Sequence, residues 1–390
     1  MSQFVFSNTT TAYFGKDKLH NIVNEIRHYG KKILLVTGRR PAAENVALSV
    51  VYEYLNQVAE KIISFDGIVP NPDTEQVNQG IMLCRREQCD LIMAIGGGSV
   101  IDVSKAIAAG VNSDTNDIWD IVLNRVQINN PLPVIAIPTT AATGSEMNAG
   151  AVIICKEQNL KRGFGHPTLQ PVAAFYVPEF TFSLSPFQTA CGCVDIISHI
   201  LDSGYITAQR PMYMLHKIQS QVLNTVFTFA STAVHDGQNI EARENLLWAS
   251  AWALNGFMYE NLRQDPVLHI IEHQLSAKYG ITHGLGIAIL LPRWLKYILS
   301  EQTANAIAEL GKNAMNLPSS GDIYMDAERT IDAIERYFVE SLQLDLHLSH
   351  FCNYQTEIDR LAACICQGRT IESIVPLTDK DVCAILKLCG

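Results

Sequence analysis

Five short runs rich in apolar and β-branched residues punctuate the first half of the chain and then stop. They are "KILLVT" (Lys32–Thr37), "EKIISF" (Glu60–Phe65), "LIMAIGGG" (Leu91–Gly98), "VIAIPTT" (Val134–Thr140) and "AAFYVP" (Ala173–Pro178). Each has the length of one buried strand and the stretches between them are helical in character, a pattern that predicts a mostly parallel sheet covered by helices. After "FSLSP" (Phe182–Pro186) come long segments with apolar residues three and four apart, such as "IQSQVLNTVFTFASTAV" and "AERTIDAIERYFVESL". We therefore expect an α/β domain over 1–185 and an all-helical domain over 186–390, with Pro186 in the first turn of a new helix.

Of the 390 residues, 48% are hydrophobic and 17% charged, enough apolar material for two domains with substantial cores. A net charge of -10 gives no reason to expect a phosphate-backbone partner, so nucleic acid is excluded as an expectation. No run of eighteen apolar residues and no export signal in "MSQFVFSNTTTAYFG" points to a membrane. The ten cysteines are scattered, without paired zinc-finger spacing, and read as reduced thiols of a cytoplasmic protein.

Two polar clusters follow predicted strands, where ligands bind in open α/β sheets. In "LIMAIGGGSVIDVSKAIAAG" the strand breaks at Gly96-Gly97-Gly98-Ser99 and a helix begins. Glycines there let the backbone approach a phosphate, and the first free N–H groups of the helix point at it. The stretch is neither G-x-G-x-x-G nor a P-loop, and a plain strand-to-helix turn is the other reading. "IPTTAATGSEMNAGAVI" supplies Thr139, Thr140, Thr143, Ser145, Glu146 and Asn148, which can bind ribose, phosphate or amide groups, or cap a helix.

The helical half carries a denser signal. Asp195 and His199 in "CVDIISHILD" are four residues apart, as are His269 and His273 in "LHIIEHQLSAKYGITHGLG". Each pair falls on one helix face. His283, between Gly280 and Gly284, is expected to open the next helix. Four of these five side chains make an Asp/His₃ set suited to a divalent ion such as Fe²⁺ or Zn²⁺; buried or surface histidines without a ligand are the alternative.

"GGGSVIDVSKAIA", "PTTAATGSEMNAGAVI", "DIISHILD" and "HIIEHQLSAKYGITHGLGIAILLP" stand in an order and spacing that resemble the iron-containing alcohol dehydrogenases, more closely their butanol-dehydrogenase-like and NADPH-dependent aldehyde reductase branch. The resemblance spans nearly the whole chain, including "AYFGKDKL" and "GIVPNPDTEQV". It implies an α/β dinucleotide-binding domain followed by an all-α metal-binding domain, the dehydroquinate-synthase-like architecture. It implies Asp195, His199, His269 and His283 as ligands of one divalent ion, Fe²⁺ or Zn²⁺, with His273 near the nicotinamide as a catalytic, proton-relaying group. Gly97, Gly98 and Ser99 would hold the pyrophosphate, with Asp102 close to the nicotinamide end as a second catalytic candidate beside His273. Asn71, Thr139, Thr140, Thr143, Ser145, Asn148 and Lys161 match further cofactor-side positions. Small aldehydes and primary alcohols are the implied substrates, and a homodimer or larger homo-oligomer the implied assembly.

Three departures matter. Asp202 stands where the family usually has Glu, and Val177 where it commonly has Asp. "LLVTGRRP" ends its strand in Gly38, Arg39 and Arg40, where NAD-preferring members commonly carry Asp at the position of Gly38. A missing carboxylate removes repulsion of the NADP 2′-phosphate, and Arg39 or Arg40 can bind it. The expected cofactor is therefore NADP(H), with NAD(H) as the alternative. A metal- and NAD-dependent lyase resembling dehydroquinate synthase would want basic residues for a phosphate-bearing substrate, and no Lys/Arg cluster surrounds the expected ligands. A non-catalytic scaffold would be suggested by lost ligands, and all four are present.

Overall fold

The computed structural model describes residues 5–39, 46–158, 160–206, 212–258 and 265–390. The chain divides into two compact units, one spanning Ser7–Ser183 and one built from Leu184–Gly390 together with the N-terminal residues up to Phe6.

The first unit holds strands β1 (Thr11–Phe14), β2 (Lys32–Gly38), β3 (Lys61–Ile68), β4 (Leu91–Gly96), β5 (Val134–Pro138), β6 (Gly150–Cys155), β7 (Leu160–Gly165) and β8 (Ala173–Tyr176). Its helices are α1 (Ile22–Tyr29), α2 (Val46–Leu55), α3 (Thr74–Glu87), α4 (Gly98–Val111) and α5 (Ile118–Val122). Six strands form one parallel sheet in the order β1-β8-β5-β4-β2-β3. Alternation of side chains explains why β2, β4, β5 and β8 are apolar nearly throughout. Leu34, Val36, Ile92, Ala94 and Ala136 face one core, while Ile33, Leu35, Met93, Ile95, Ile135 and Ile137 face the other. The five β-type runs become β2, β3, β4, β5 and β8. β1 and the antiparallel hairpin β6–β7 lie outside them. β1 is only four residues long with no fully buried position, so its sequence carries little strand signal.

Strand order reverses between β2 and β4: β3 lies outside β2, whereas β5 and β8 follow β4 on the other side. The carboxyl ends flanking such a switch point form the ligand crevice of open α/β sheets. Here they are Gly38 and Gly96.

The second unit is helical among its described residues: α6 (Pro186–Ile200), α7 (Tyr213–His235), α8 (Ile240–Ala253), α9 (Val267–Tyr279), α10 (His283–Ile298), α11 (Ala304–Ala314), α12 (Ile323–Arg336), α13 (Ile358–Cys366) and α14 (Asp379–Lys387). A capping box starts α6, with Ser185 Oγ accepting from Gln188 N and Gln188 Oε1 accepting from Ser185 N, and Pro186 sits in the first turn. From Thr189 to Ile200 every residue of α6 is buried, as expected of a helix at the centre of its unit. Contact with α10 is tight. A Cβ placed on Gly284 would lie 2.7 Å from Cys191 Cα and closer still to the Cys191 carbonyl, so only glycine permits this backbone approach.

Gly284→Ala is expected to cost about 3 kcal/mol through overpacking, lowering Tm by roughly 5–10 °C. Thermal melts of the purified variant check this, and an unchanged Tm contradicts the crossing described.

Candidate metal centre and nucleotide-binding edge

The buried carboxylate of Asp195 is the focus of the helical unit. Its Oδ1 lies 3.5 Å from His199 Nε2, 3.8 Å from His269 Nε2 and 3.4 Å from His283 Nε2. Neither Asp195 Oδ1 nor His269 Nε2 has a hydrogen-bond partner, although both are buried. Orphaned buried polar atoms are costly unless something binds them. Donors about 2.1 Å from a tetrahedral ion stand about 3.4 Å apart, so the three separations match the edges of a metal polyhedron rather than hydrogen bonds. Among the described residues, the other buried or half-buried cluster of this kind is Glu272, His273 and His283, which adjoins it. A third, Asp345 with His347 and His350, is exposed, and both histidine Nδ1 atoms already meet the carboxylate, at 2.9 and 2.6 Å.

Local structure aims each donor. Asp195 and His199 are one turn apart on α6, and the His199 and His269 rings stack 4.9 Å apart at 10°. α9 ends at Gly280, whose φ of 69° is left-handed, and α10 opens with His283 after Thr282. α6 continues into a π-helical turn, Leu201–Tyr205, of the kind often found at functional sites. Asp202 on that turn accepts from His269 Nδ1 at 2.8 Å and from the backbone N–H groups of Leu268 and His269 at 3.3 Å. It therefore caps the start of α9 and turns the imidazole Nε2 toward Asp195, even with a side chain one methylene shorter than Glu. Glu272 meets His283 Nδ1 in the same way. The His273 ring centroid is 6.2 Å from that of His269 and 5.6 Å from that of His283.

The electrostatics follow the packing. Burial alone would raise the Asp195 carboxyl, but the surrounding histidines, His199 foremost, hold it well below the usual range. Burial depresses His199 to about 4. His269 is opposed by burial but raised to about 9 by the carboxylates of Asp195 and Asp202.

The second group of sequence-singled residues lies in the other unit, at the carboxyl edge of its sheet. Gly97 caps α4, which starts at Gly98. A Cβ on Gly97 would come within 3.0 Å of Thr140 Oγ1, and one on Gly98 within 2.5 Å of Thr143 Oγ1, so the glycine loop and the threonine cluster are packed against each other. Thr139 N donates to Gly96 O, 3.0 Å, joining the ends of β4 and β5. Gly97, Gly98, Ser99, Thr139, Thr140 and Thr143 are half-buried along this edge, with Gly38 half-buried at the end of β2 and Arg39 exposed beside it. Arg40 lies outside the described residues. Asn71 adopts a left-handed φ of 58° after β3, and Lys161 is half-buried on β7. Val177, the other departure, is buried in the core beneath β8.

Asp102 is engaged on both oxygens, accepting from Ser145 Oγ at 2.6 Å and from Val152 N at 3.0 Å, and burial pushes its carboxyl above the usual range against the opposing charge of Lys105 and, less, of Lys161. Sequence reasoning missed its neighbour. Lys105 is wholly buried, and its Nζ donates to Ser145 O (2.9 Å), Asn148 O (3.2 Å) and Asn148 Oδ1 (3.3 Å), 4.0 Å from Asp102 Oδ1. Burial lowers this lysine to about 8 and raises the adjacent buried Glu146 to about 7. A lysine three residues after an aspartate on an otherwise apolar helix was the available signal.

Two family models cover most of the chain. One described as "Iron-containing alcohol dehydrogenase" matches residues 9–178, and one described as "Fe-containing alcohol dehydrogenase family, C-terminal" matches residues 189–389. The sequence is 35% identical over 389 residues to NADH-dependent butanol dehydrogenase B of Clostridium acetobutylicum, covering 99% of each chain. It is 30% identical over 356 residues to the NADPH-dependent aldehyde reductase YqhD of Escherichia coli, covering 90% of this chain and 89% of that protein. The crystal structure of NADH-dependent butanol dehydrogenase A from Thermotoga maritima matches with a TM-score of 0.92 at 29% identity, covering 100% of this chain and 99% of that one.

Replacing Lys105 by Met keeps the stem but leaves the acceptors of Ser145 and Asn148 and two buried acids without their cation. The expected cost is about 3–5 kcal/mol, read as a Tm lower by roughly 10 °C. A melt within a degree or two of the parent would contradict it.

Proposed function

Because the chain belongs to the iron-containing alcohol dehydrogenase family, whose members are oxidoreductases acting on alcohols and aldehydes, we propose that it reduces small aldehydes with NADPH at a divalent-metal centre built from Asp195, His199, His269 and His283. The observation that carries this is the convergence of three histidine Nε2 atoms on the unpartnered Asp195 Oδ1 at 3.4–3.8 Å. The donor set is one carboxylate and three imidazoles, which suits Fe²⁺ or Zn²⁺. An ion held there supplies a Lewis acid that polarises a carbonyl oxygen, and the nicotinamide supplies the hydride.

The chain's own residues do the rest. Asp202 fixes the His269 tautomer by accepting from Nδ1, leaving Nε2 for the ion. His273, beside the His269 and His283 rings, delivers a proton from a ring nitrogen to the product alkoxide in the reductive direction. The switch-point edge at Gly38, Gly97, Gly98 and Ser99 receives the dinucleotide, with the pyrophosphate at the start of α4. All ten cysteines are free thiols, and no helix among the described residues is long and apolar enough to cross a membrane. Both fit the cytoplasmic setting we propose, where a largely reduced NADP pool favours aldehyde reduction. A homodimer or larger assembly is proposed on the family resemblance.

His269→Ala should remove both bound metal and activity, whereas His273→Ala should keep the metal and lower kcat about 100-fold. Elemental analysis alongside steady-state kinetics separates the two. Full metal content in the first variant, or its loss in the second, contradicts the assignment.

Cofactor choice rests on Gly38, the last residue of β2, which brings no carboxylate of its own to repel a 2′-phosphate. The relatives named above are one NADH-dependent and one NADPH-dependent enzyme, so this position is the distinguishing one for our reading. A Cβ there meets Ile68 O at 3.7 Å and Val100 Cγ2 at 3.8 Å, ordinary contacts, so the backbone has room for a side chain at this position. The parent should show a higher kcat/KM with NADPH than with NADH on one small aldehyde, and Gly38→Asp should move the ratio toward NADH at least 10-fold. Equal or better use of NADH by the parent would contradict the preference.

A further inference from the structure

Glu272 is wholly buried on α9, beside His283 of the centre and outside the donor set proposed above. One carboxylate oxygen, Oε2, accepts from His283 Nδ1, and the other, Oε1, is met by the Ser276 hydroxyl. Ser276 Oγ also lies 2.9 Å from the carbonyl of Ile281, in the loop that leads into His283. The carboxylate thus ties the body of α9 to the His283 ring, with Ser276 Oγ lying between it and the backbone that carries that ring. Space for it is made on the facing helix. A Cβ on Gly286 would sit 2.8 Å from Glu272 Cγ and 3.0 Å from Oε1, so α10 carries a glycine where the Glu272 side chain must pass. A buried carboxylate is costly unless fully partnered, and these contacts partner it.

We infer that Glu272 is the positioning residue for His283: its carboxylate, housed by Gly286 and backed by Ser276, holds the ring with Nδ1 as donor so that Nε2 faces Asp195. The inference rests on the metal reading above. It makes Glu272 the counterpart on His283 of Asp202 on His269. Orienting carboxylates of this sort typically change metal affinity 10–100-fold when removed.

The test is metal affinity of the full-length apoprotein, measured by competition between Zn²⁺ and a chromophoric chelator and by the Tm rise on adding Zn²⁺. Glu272→Ala should weaken binding 10–100-fold and shrink the metal-dependent Tm rise in proportion. Gly286→Ala removes no polar group but displaces the Glu272 side chain, and should weaken binding in the same direction. Glu272→Gln keeps an oxygen able to accept from Nδ1–H and should retain more affinity than Glu272→Ala, which also guards against a variant that fails to fold. A residue that merely packs would lower the Tm of apo and loaded protein alike and leave the affinity unchanged. His283→Ala is measured in parallel. If it loses metal while both Glu272→Ala and Gly286→Ala bind within about twofold of the parent, the role of Glu272 is overturned. If His283→Ala itself retains the parent's affinity, the ligand assignment beneath it fails instead.

Discussion

A carboxylate oxygen buried without a hydrogen-bond partner, Asp195 Oδ1, is the constraint around which the helical unit is organised. Burying an ionised carboxylate is unfavourable by several kcal/mol unless charges or a metal compensate it. Here the compensation comes from three helices at once, through His199 on α6, His269 on α9 and His283 at the first position of α10. That requirement explains features that look unrelated in sequence. α6 must be buried all round, α10 must approach it closely enough that residue 284 is glycine, and α9 must end in a left-handed glycine so that the chain can turn back and present His283. Asp202 and Glu272 then fix two of the imidazoles from their far sides.

The α/β unit solves a different problem. A dinucleotide needs backbone N–H groups and close approach, and we propose that it binds at the switch-point edge, where Gly97 and Gly98 pack on Thr140 and Thr143. The rigidity of that edge comes from below. Asp102 holds Ser145 and the β6 backbone, and Lys105 holds the carbonyls of Ser145 and Asn148, so the polar loop after β5 is anchored to α4 by both charge signs.

Sheet and helices were legible in the sequence because strands buried on both faces are short apolar runs, while the helical half shows longer segments with apolar residues three and four apart. The pairs Asp195/His199 and His269/His273 were legible because i, i+4 spacing is a local signal, and His283 because glycines flank it; that His273 stands apart from the other four was implied only by the family resemblance, and the structure brings Asp195 together with His199, His269 and His283. Glu272 and Lys105 were not. A charged residue on a helix ordinarily faces water, and what buries these two is distant: Gly286 on α10 for Glu272, the loop from Ser145 to Asn148 for Lys105. β1 and β7 escaped because short, largely exposed strands carry little apolar signal, whereas β6 is mostly buried and its apolar run directly follows the polar cluster that drew attention instead. Asp202 stood out only as a shortened side chain, and its reach to His269 depends on a π-helical turn that composition does not announce.

The central claim is that one divalent ion sits at Asp195 Oδ1 with three imidazoles around it. Diffraction from crystals grown with Zn²⁺ or Fe²⁺, recorded at the absorption edge of that metal, tests it most directly. The account predicts one strong anomalous peak in the helical unit, about 2.0–2.2 Å from Asp195 Oδ1 and from the Nε2 atoms of His199, His269 and His283. A peak bonded to His273 in place of any of these four, or no peak at the site in metal-loaded crystals, would contradict it.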